Sequence, residues 1–477
     1  MKHQIKAIFA IILLLTTCYS GAQTKEITIL SVNDIHAAVD RFPQFEAIVD
    51  SVRAVHPDLL LFSAGDNRTG NPVNDQYPIV SYPIVALMNK AGFNLSAVGN
   101  HEFDSTPAGF REVMNSSNFR YVCANMYAPD TMRLHVEPYK IFECNGVRIG
   151  VLGLIQLGTN GLPDSHPKNL ANIHFRSPLK VAQEYAWLRD RCDVFIILSH
   201  NGYEEDLALA KEYPIADVIL GGHSHSKIEG TMSNGVLVTQ AEKQLKYVTE
   251  LTLKLANGKV IEKKAHLINV KDNPKKDEKV QSMVNEFNDN KELKRVVAQA
   301  KESFLNKEEL GCMMADAIRI ESGADIALQN SGGVRLDSFP AGPISLGDVY
   351  RLDPFGNEMV MFNMTGGEVI QMILATCKSD NYGPGYVSGI KYTITFGNDK
   401  DDMRDVKVWM ADGSPIDKKR VYKVTMNSYI ATVSDFEKKN EGQNLFRTCS
   451  DAIIDYLTQQ SVVDYKGVSR VTIKRVK

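Results

Sequence analysis

The chain has neither a basic field nor an acidic tail: 54 Lys and Arg stand against 57 Asp and Glu in 477 residues, a formal net charge of −3. Proteins that neutralise a nucleic-acid backbone need a surplus of cations on one face, so no nucleic-acid partner is expected. Any anionic ligand must be met by a local site. Cysteine is scarce, with seven residues and no CxxC pair, which argues against a thiolate zinc site or a redox dithiol. Six of the seven are scattered as buried thiols are; outside the cytoplasm a disulfide among them is an open alternative with no assignable pairing. Beyond the N-terminus no segment is long and apolar enough to cross a bilayer, and there is no internal repeat or low-complexity tract. A hydrophobic content of 44% and a charged content of 23% are those of an ordinary globular chain, and the length implies two domains or three.

What is present begins with the first 22 residues. "MKHQIK" is basic, "AIFAIILLLTT" is apolar but short for a membrane span, and "CYSGAQ" offers Ser20 and Ala22 at the spacing of a signal-peptidase site. "LTTC" is also a loose lipoprotein box ending at Cys18, yet the residues before Cys18 are not the small pair such a box prefers. Cleavage after Ala22 is therefore favoured. Either route predicts an exported protein, periplasmic or at the cell surface, with membrane contact only if Cys18 is lipidated. No oligomeric state is readable.

The first two-thirds of the chain repeat one pattern. Short Val, Ile and Leu runs ("EITILSV", "DLLLFSAG", "LSAVG", "RIGVLGLI", "DVFIILS", "DVILGG") alternate with helical stretches such as "FEAIVDSVRAV", "PIVALMNKAG" and "PLKVAQEYAWLRD". This predicts an α/β sheet covered on both faces. "KYVTELTLKLANGKVIEKKAHLINV" alternates strictly and reads as an antiparallel hairpin turning at "ANGK". From "KDNPKKDEKVQSMVNEFNDNKELKRVVAQA" the texture becomes charged and helical, predicting an exposed linking helix. Beyond it, "YTITFG", "DVKVWM" and "YKVTMNSYIATV" read as strands of a second unit. The expected division is a signal peptide at 1–22, a first domain at 23–285 and a second at 286–477.

Polar punctuation follows successive strands of the first domain: Asp34 and His36 in "NDIH", Asp66 in "AGD", Asn100, His101 and Asp104 in "GNHEFD", His200 in "SH", and His223 and His225 in "GGHSH". The carboxyl ends of strands in an open α/β sheet share one rim, so groups remote in sequence converge there. Singly these motifs are weak, since Gly-Asp is ordinary turn chemistry and a lone His after a strand is more often satisfied locally. Yet five of the 11 His fall in these clusters. His, Asp and an Asn carbonyl form an N/O donor set suited to Zn, Mn or a similar divalent ion, and seven candidate ligands exceed one tetrahedral shell, so two ions are implied. Asp66, with two oxygens, can bridge them. The two-residue spacing of Asp34 and His36, and of His223 and His225, predicts extended backbone that aims each pair to one side.

In this order, "NDIH", "SAGD", "GNHEFD", "LSHNG" and "GGHSH" resemble the calcineurin-like metallophosphoesterases, while "NSGGVR", "DPFGN" and "NSYIA" resemble the C-terminal domain of the secreted bacterial 5′-nucleotidases. The resemblance implies a four-layer α/β/β/α N-terminal domain, a linking helix and a C-terminal α+β domain. It also implies that Asp34, His36, Asp66 and His225 hold one metal, and that Asp66, Asn100, His200 and His223 hold the other. His101, oriented by Asp104, would stabilise the transferring phosphoryl group, and Glu102 is read as structural. Phe355 and Tyr429 would sandwich a nucleobase, with Arg335, Asn357 and Asp435 as further substrate contacts. The chain departs from the family at Ala37, where Gly is frequent, and at Val433 and Ser434, which replace loop glycines.

The leading expectation is an exported two-metal phosphohydrolase acting on a small-molecule substrate, a nucleoside 5′-monophosphate. The same metal set would serve a 2′,3′-cyclic nucleotide, a UDP-sugar or another nucleotide diphosphate, or a sulfur-containing ester. A non-catalytic nucleotide-binding protein is the alternative of another class.

Overall fold

A computed structural model describes residues 24–158, 160–379, 383–397, 402–434, 436 and 442–476, leaving out the side chains of residues 378 and 379. The expected signal segment with Cys18 therefore lies outside the described residues, as does Asp435.

The apolar runs of the first domain divide between two sheets rather than filling one. A seven-stranded sheet runs in the order Lys259–Asn269, Tyr247–Ala256, Lys25–Val32, Leu60–Ser63, Leu95–Ala97, Arg120–Val122, Val136–Glu137. A six-stranded sheet runs Lys227–Ser233, Val236–Ala241, Val218–Leu220, Val194–His200, Val147–Ile155, Tyr139–Cys144. Their inner faces form one core: Ile27, Ile29 and Phe62 from the first sheet meet Ile149, Val151, Val194, Ile196 and Leu198 from the second. Alternate residues face outward under helices. Leu30, Val32 and Leu61 pack beneath Phe42–Val55, Tyr82–Ala91 and Thr106–Ser116, while Phe195 and Ile197 pack beneath Pro178–Glu184 and Tyr203–Glu212. Strands buried on both faces draw apolar residues to both, which is why these runs are nearly continuous. The result is the α/β/β/α layering.

Within each sheet the central strands run parallel, so their carboxyl ends reach one rim. The expected hairpin pairs Tyr247–Ala256 with Lys259–Asn269. Asn257 and Gly258 both have positive φ there, as its two-residue turn requires.

The linking segment differs from its expectation. Helix Glu278–Phe287 is not exposed all round: Val280, Val284 and Phe287 form an apolar stripe buried in the first domain's helical layer. The helix ends there, and Val296–Ala300 is a strand, held between Gly342–Ser345 and Val462–Val463. Charge along the segment masked an i, i+4, i+7 pattern and a β-branched pair.

The second domain is built on a five-stranded sheet, ordered Tyr386–Ser388, Ile326–Gln329, Val421–Asn427, Glu358–Thr365, Gln443–Thr448. Helix Lys307–Ser322 starts where the Asn306 side chain accepts from the amide of Glu309 and stops at left-handed Gly323. A Cβ on Gly311 would lie 2.0 Å from the Tyr386 ring, so the helix approaches its sheet only with glycine there. Strand "YKVTMN" ends at Asn427, whose side chain caps a short helix, Ser428–Val433. Tyr429 thus stands on a helix rather than a strand.

Candidate active site

Seven side chains gather at the rim. Asp34 and His36 follow Lys25–Val32, Asp66 follows Leu60–Ser63, Asn100 follows Leu95–Ala97, His200 closes Val194–His200, and His223 and His225 follow Val218–Leu220. The expected extended backbone at the two spaced pairs is not what brings them in. Asp34, His36, Asp66, His223 and His225 have φ of 49°, 46°, 55°, 75° and 55°, the left-handed region that residues with a Cβ rarely enter. At Asp34, His36 and Asp66 the curl is pinned by a backbone ladder between two loops: the amides of Asp34, His36 and Ala37 donate to the carbonyls of Gly65, Asp66 and Asn67. That pairing curls the chain around its own side chains. Strain of this kind, roughly 1–3 kcal/mol per residue, persists only where the surroundings overdetermine it.

Glu102 fastens the next loop. Its carboxylate accepts from the amides of Asp66, Asn67 and Gly99 at 3.0, 2.9 and 2.7 Å. It therefore joins the Asp66 and Asn100 loops without facing the cleft. Gly99 is required at that junction, since a Cβ there would lie 2.2 Å from Asp66 Oδ1.

Two groups result. In one, Asp34 Oδ1 lies 3.3 Å from His225 Nε2 and 3.8 Å from His36 Nε2, and the two imidazole nitrogens are 3.1 Å apart. In the other, His200 Nε2 lies 3.1 Å from Asp66 Oδ2 and 3.2 Å from Asn100 Oδ1, which is itself 3.1 Å from His223 Nδ1. His101 stands beside them, its Nδ1 2.7 Å from Asp104 Oδ2 and its Nε2 3.9 Å from Asp66 Oδ2.

The donor sets fit divalent cations. Asp34 Oδ1 is buried without a hydrogen-bond partner, although Oδ2 accepts from Asn33 Nδ2 and the His223 amide. The Nδ1 atoms of His36 and His200 face the carbonyls of Thr69 and Ala64 at 2.9 and 2.7 Å, which turns each Nε2 into its cluster. Asn100 Nδ2 donates to the carbonyl of Asp164, so its oxygen points inward. Electrostatics agree. Burial opposes ionisation of Asp34 and Asp66, yet the neighbouring imidazoles hold both carboxyls well below their ordinary range. Burial likewise opposes charging His200, but Asp66 raises its proton affinity. Buried carboxylates of this kind need a cationic partner, which the imidazoles or a divalent ion can supply.

Two family models match the chain, calcineurin-like phosphoesterase over residues 27–227 and 5′-nucleotidase, C-terminal domain over residues 288–436. The chain belongs to the family of bacterial 5′-nucleotidases that joins these two domains. A 5′-nucleotidase of Vibrio cholerae is 27% identical over 94% of this chain and 92% of its own length. Endonuclease YhcR of Bacillus subtilis is 27% identical over 85% of this chain, which spans only 37% of that longer protein. The crystal structure of a 5′-nucleotidase precursor from Thermus thermophilus superposes with a TM-score of 0.81 at 25% identity, covering 94% of this chain and 99% of that one. As a member of this family, the protein is a metal-dependent phosphoester hydrolase.

The 5′-nucleotidase domain closes a cleft over the rim. Its wall carries Arg335, Phe355, Asn357 and Tyr429, facing Asp66, Asn100, His101 and Asp104. The Phe355 ring lies 5.8 Å from the His101 ring at 21°, and the Arg335 guanidinium lies 5.5 Å from the Phe355 centroid. Val433 and Ser434 also line the cleft. Among the described residues no two cysteines form a disulfide, and five of the six are buried.

Reasoning from strand ends missed one wall. Asp164, Ser165 and His166, from the loop after Val147–Ile155, also line the cleft. Asp164 lies nine residues past its strand, so only the length of the loop signalled a role.

Proposed function

We propose that this protein is an exported phosphohydrolase that removes phosphate from nucleoside 5′-monophosphates with two divalent ions, zinc, manganese or similar. Residues 23–285 would carry the ions and the chemistry, and residues 286–477 the nucleoside. The observation that carries this reading is the adjacency of two Asp/His clusters to a His–Asp pair, under a wall bearing two aromatic rings and an arginine.

Asp34, His36, Asp66 and His225 are assigned to one ion, and Asp66, Asn100, His200 and His223 to the other, with Asp66 shared. When bound, the ions supply the Lewis acidity that neutralises charge on a transferring phosphoryl group and activates water. The protein's own part is placement. Asp104 holds His101 Nδ1, so Nε2 is the atom that donates to a phosphoryl oxygen as charge builds on it. Arg335 meets the substrate's anionic or polar face, Asn357 offers a hydrogen bond, and Phe355 and Tyr429 offer π faces to the base. Phe355 already has His101 and Arg335 on its ring, so a stacked base takes the place of one of them, a rearrangement within reach of a domain hinge. Asp435, proposed for the ribose, lies outside the described residues.

Export rests on the basic, apolar and small-residue order of residues 1–22. No helix among the described residues is long and apolar enough to cross a membrane.

The test is phosphate release from adenosine monophosphate, a 2′,3′-cyclic nucleotide, UDP-glucose and an aryl phosphate, with chelator and after readdition of zinc or manganese. The monophosphate should turn over fastest, stop with chelator and recover with metal. Turnover of the aryl ester alone would reject the nucleoside reading. Nucleotide binding without turnover of anything would reject the catalytic one.

A further inference from the structure

We infer that Asp164 is a positioning residue for one of the two ions, a role that rests on the two-ion reading above. Three observations converge on it. Asn100 Oδ1 faces His223 Nδ1 at 3.1 Å, so His223 presents Nδ1 to the cluster, whereas His36, His200 and His225 present Nε2. That leaves Nε2 of His223 pointing away, and the acceptor beside it is Asp164 Oδ2 at 3.6 Å. The same residue's backbone carbonyl accepts from Asn100 Nδ2 at 3.0 Å. Asp164 thus touches two members of one cluster, through its carboxylate and its main chain, and no member of the other in these contacts.

The chemistry is that of an outer carboxylate. An imidazole that binds a cation through one nitrogen carries a more acidic N–H on the other, and a carboxylate facing that N–H fixes the tautomer, orients the ring and makes the bound nitrogen a stronger donor. At 3.6 Å the contact is an ion-pair distance rather than a short hydrogen bond. The carbonyl contact has a separate effect: it holds the Asn100 amide so that its oxygen, and not its nitrogen, faces the cluster. The loop is placed to do this. The amide of Ser165 donates to the carbonyl of Pro163, a tight turn centred on Asp164, and the amide of Gly158 donates to the carbonyl of Leu162 just before it.

Asp164→Asn isolates the carboxylate, because the backbone contact to Asn100 survives. Zinc binding to the full-length, chelator-stripped protein is followed by competition with a chromophoric chelator, which resolves the two affinities. Wild type should show two sites. In Asp164→Asn the affinity of one site should fall by ~10- to 100-fold while the other stays unchanged. Asp164→Glu should restore much of it. An unchanged isotherm, or equal weakening of both sites, would overturn the positioning role. A wild-type protein that binds one ion or none would instead overturn the two-ion reading. A general loss of structure in Asp164→Asn is separated by its thermal midpoint without metal, which should equal that of wild type.

Discussion

Replacing His101 by alanine separates two roles that its position allows. It stands within ligand distance of His36 and Asp66, so it belongs geometrically to a third possible metal group. Two distances argue that it acts on substrate instead. Its Nε2 is 3.9 Å from Asp66 Oδ2, against 3.1 Å for His200 Nε2, and its Nδ1 is tethered by Asp104 at 2.7 Å. With its side chain 12% exposed, the ring retains an open edge while Asp66 is sealed at 2%. Loss of one preorganised donor to a transition state costs about 2.7–4 kcal/mol, or 10²- to 10³-fold in kcat. Both clusters keep their seven proposed ligands in His101→Ala, so its metal content should match wild type. Phosphate release at saturating substrate gives kcat, and elemental analysis of the dialysed protein gives the metal stoichiometry. A kcat within error of wild type would remove His101 from the chemistry. Loss of metal in parallel with turnover would make it a ligand and refute the distance argument.

Glu102→Ala orphans three buried amides, each worth about 1–3 kcal/mol, so the first domain should lose at least ~3 kcal/mol and its thermal midpoint several degrees; an unchanged midpoint would deny that Glu102 staples the two loops. Phe355→Ala should raise KM for a nucleoside monophosphate about 5- to 150-fold, the equivalent of one stacked base at roughly 1–3 kcal/mol, and change the aryl phosphate far less. Equal effects on both substrates would argue against a base at Phe355. Asp206 is buried with Oδ2 unpartnered, and burial pushes its carboxyl up to about 7 from 3.8, partly offset by the Ser199 hydroxyl at 2.5 Å. Because the folded form resists an ionisation that the unfolded form undergoes, this group costs stability progressively as pH rises from about 4 to 7, up to roughly 4 kcal/mol. In urea denaturation of the chelator-treated protein, Asp206→Asn should therefore gain on wild type at pH 8 relative to pH 5. A gap that is the same at both values would contradict the assigned burial effect.

The legible parts of this chain were those where one local pattern had one structural meaning. Continuous apolar runs such as "DVFIILS" became strands because alternate residues meet different layers, Val194, Ile196 and Leu198 inside and Phe195 and Ile197 outside. The illegible parts were those where the pattern was short or covered by charge. Val296–Ala300 looked helical within its lysine-rich surroundings, yet pairs with strands that come from 342–345 and 462–463. Tyr429 looked like strand because it continues the run "YKVTMNSYIATV" with its Val, Thr, Ile and Tyr, whereas a cap from Asn427 turns the chain into a helix. Asp164 carried no motif at all.

Residue types at strand ends were enough to gather Asp34, His36, Asp66, Asn100, His200, His223 and His225 at one rim, since parallel strands place all their carboxyl ends on the same side. Which atom of each side chain faces inward was decided only by folding. The carbonyls of Thr69, Ala64 and Asp164 choose the nitrogen or oxygen presented, and for His200 and Asn100 they come from loops far away in sequence. A hydrogen bond depends on position in space and not on spacing along the chain, so no local pattern could have carried that information.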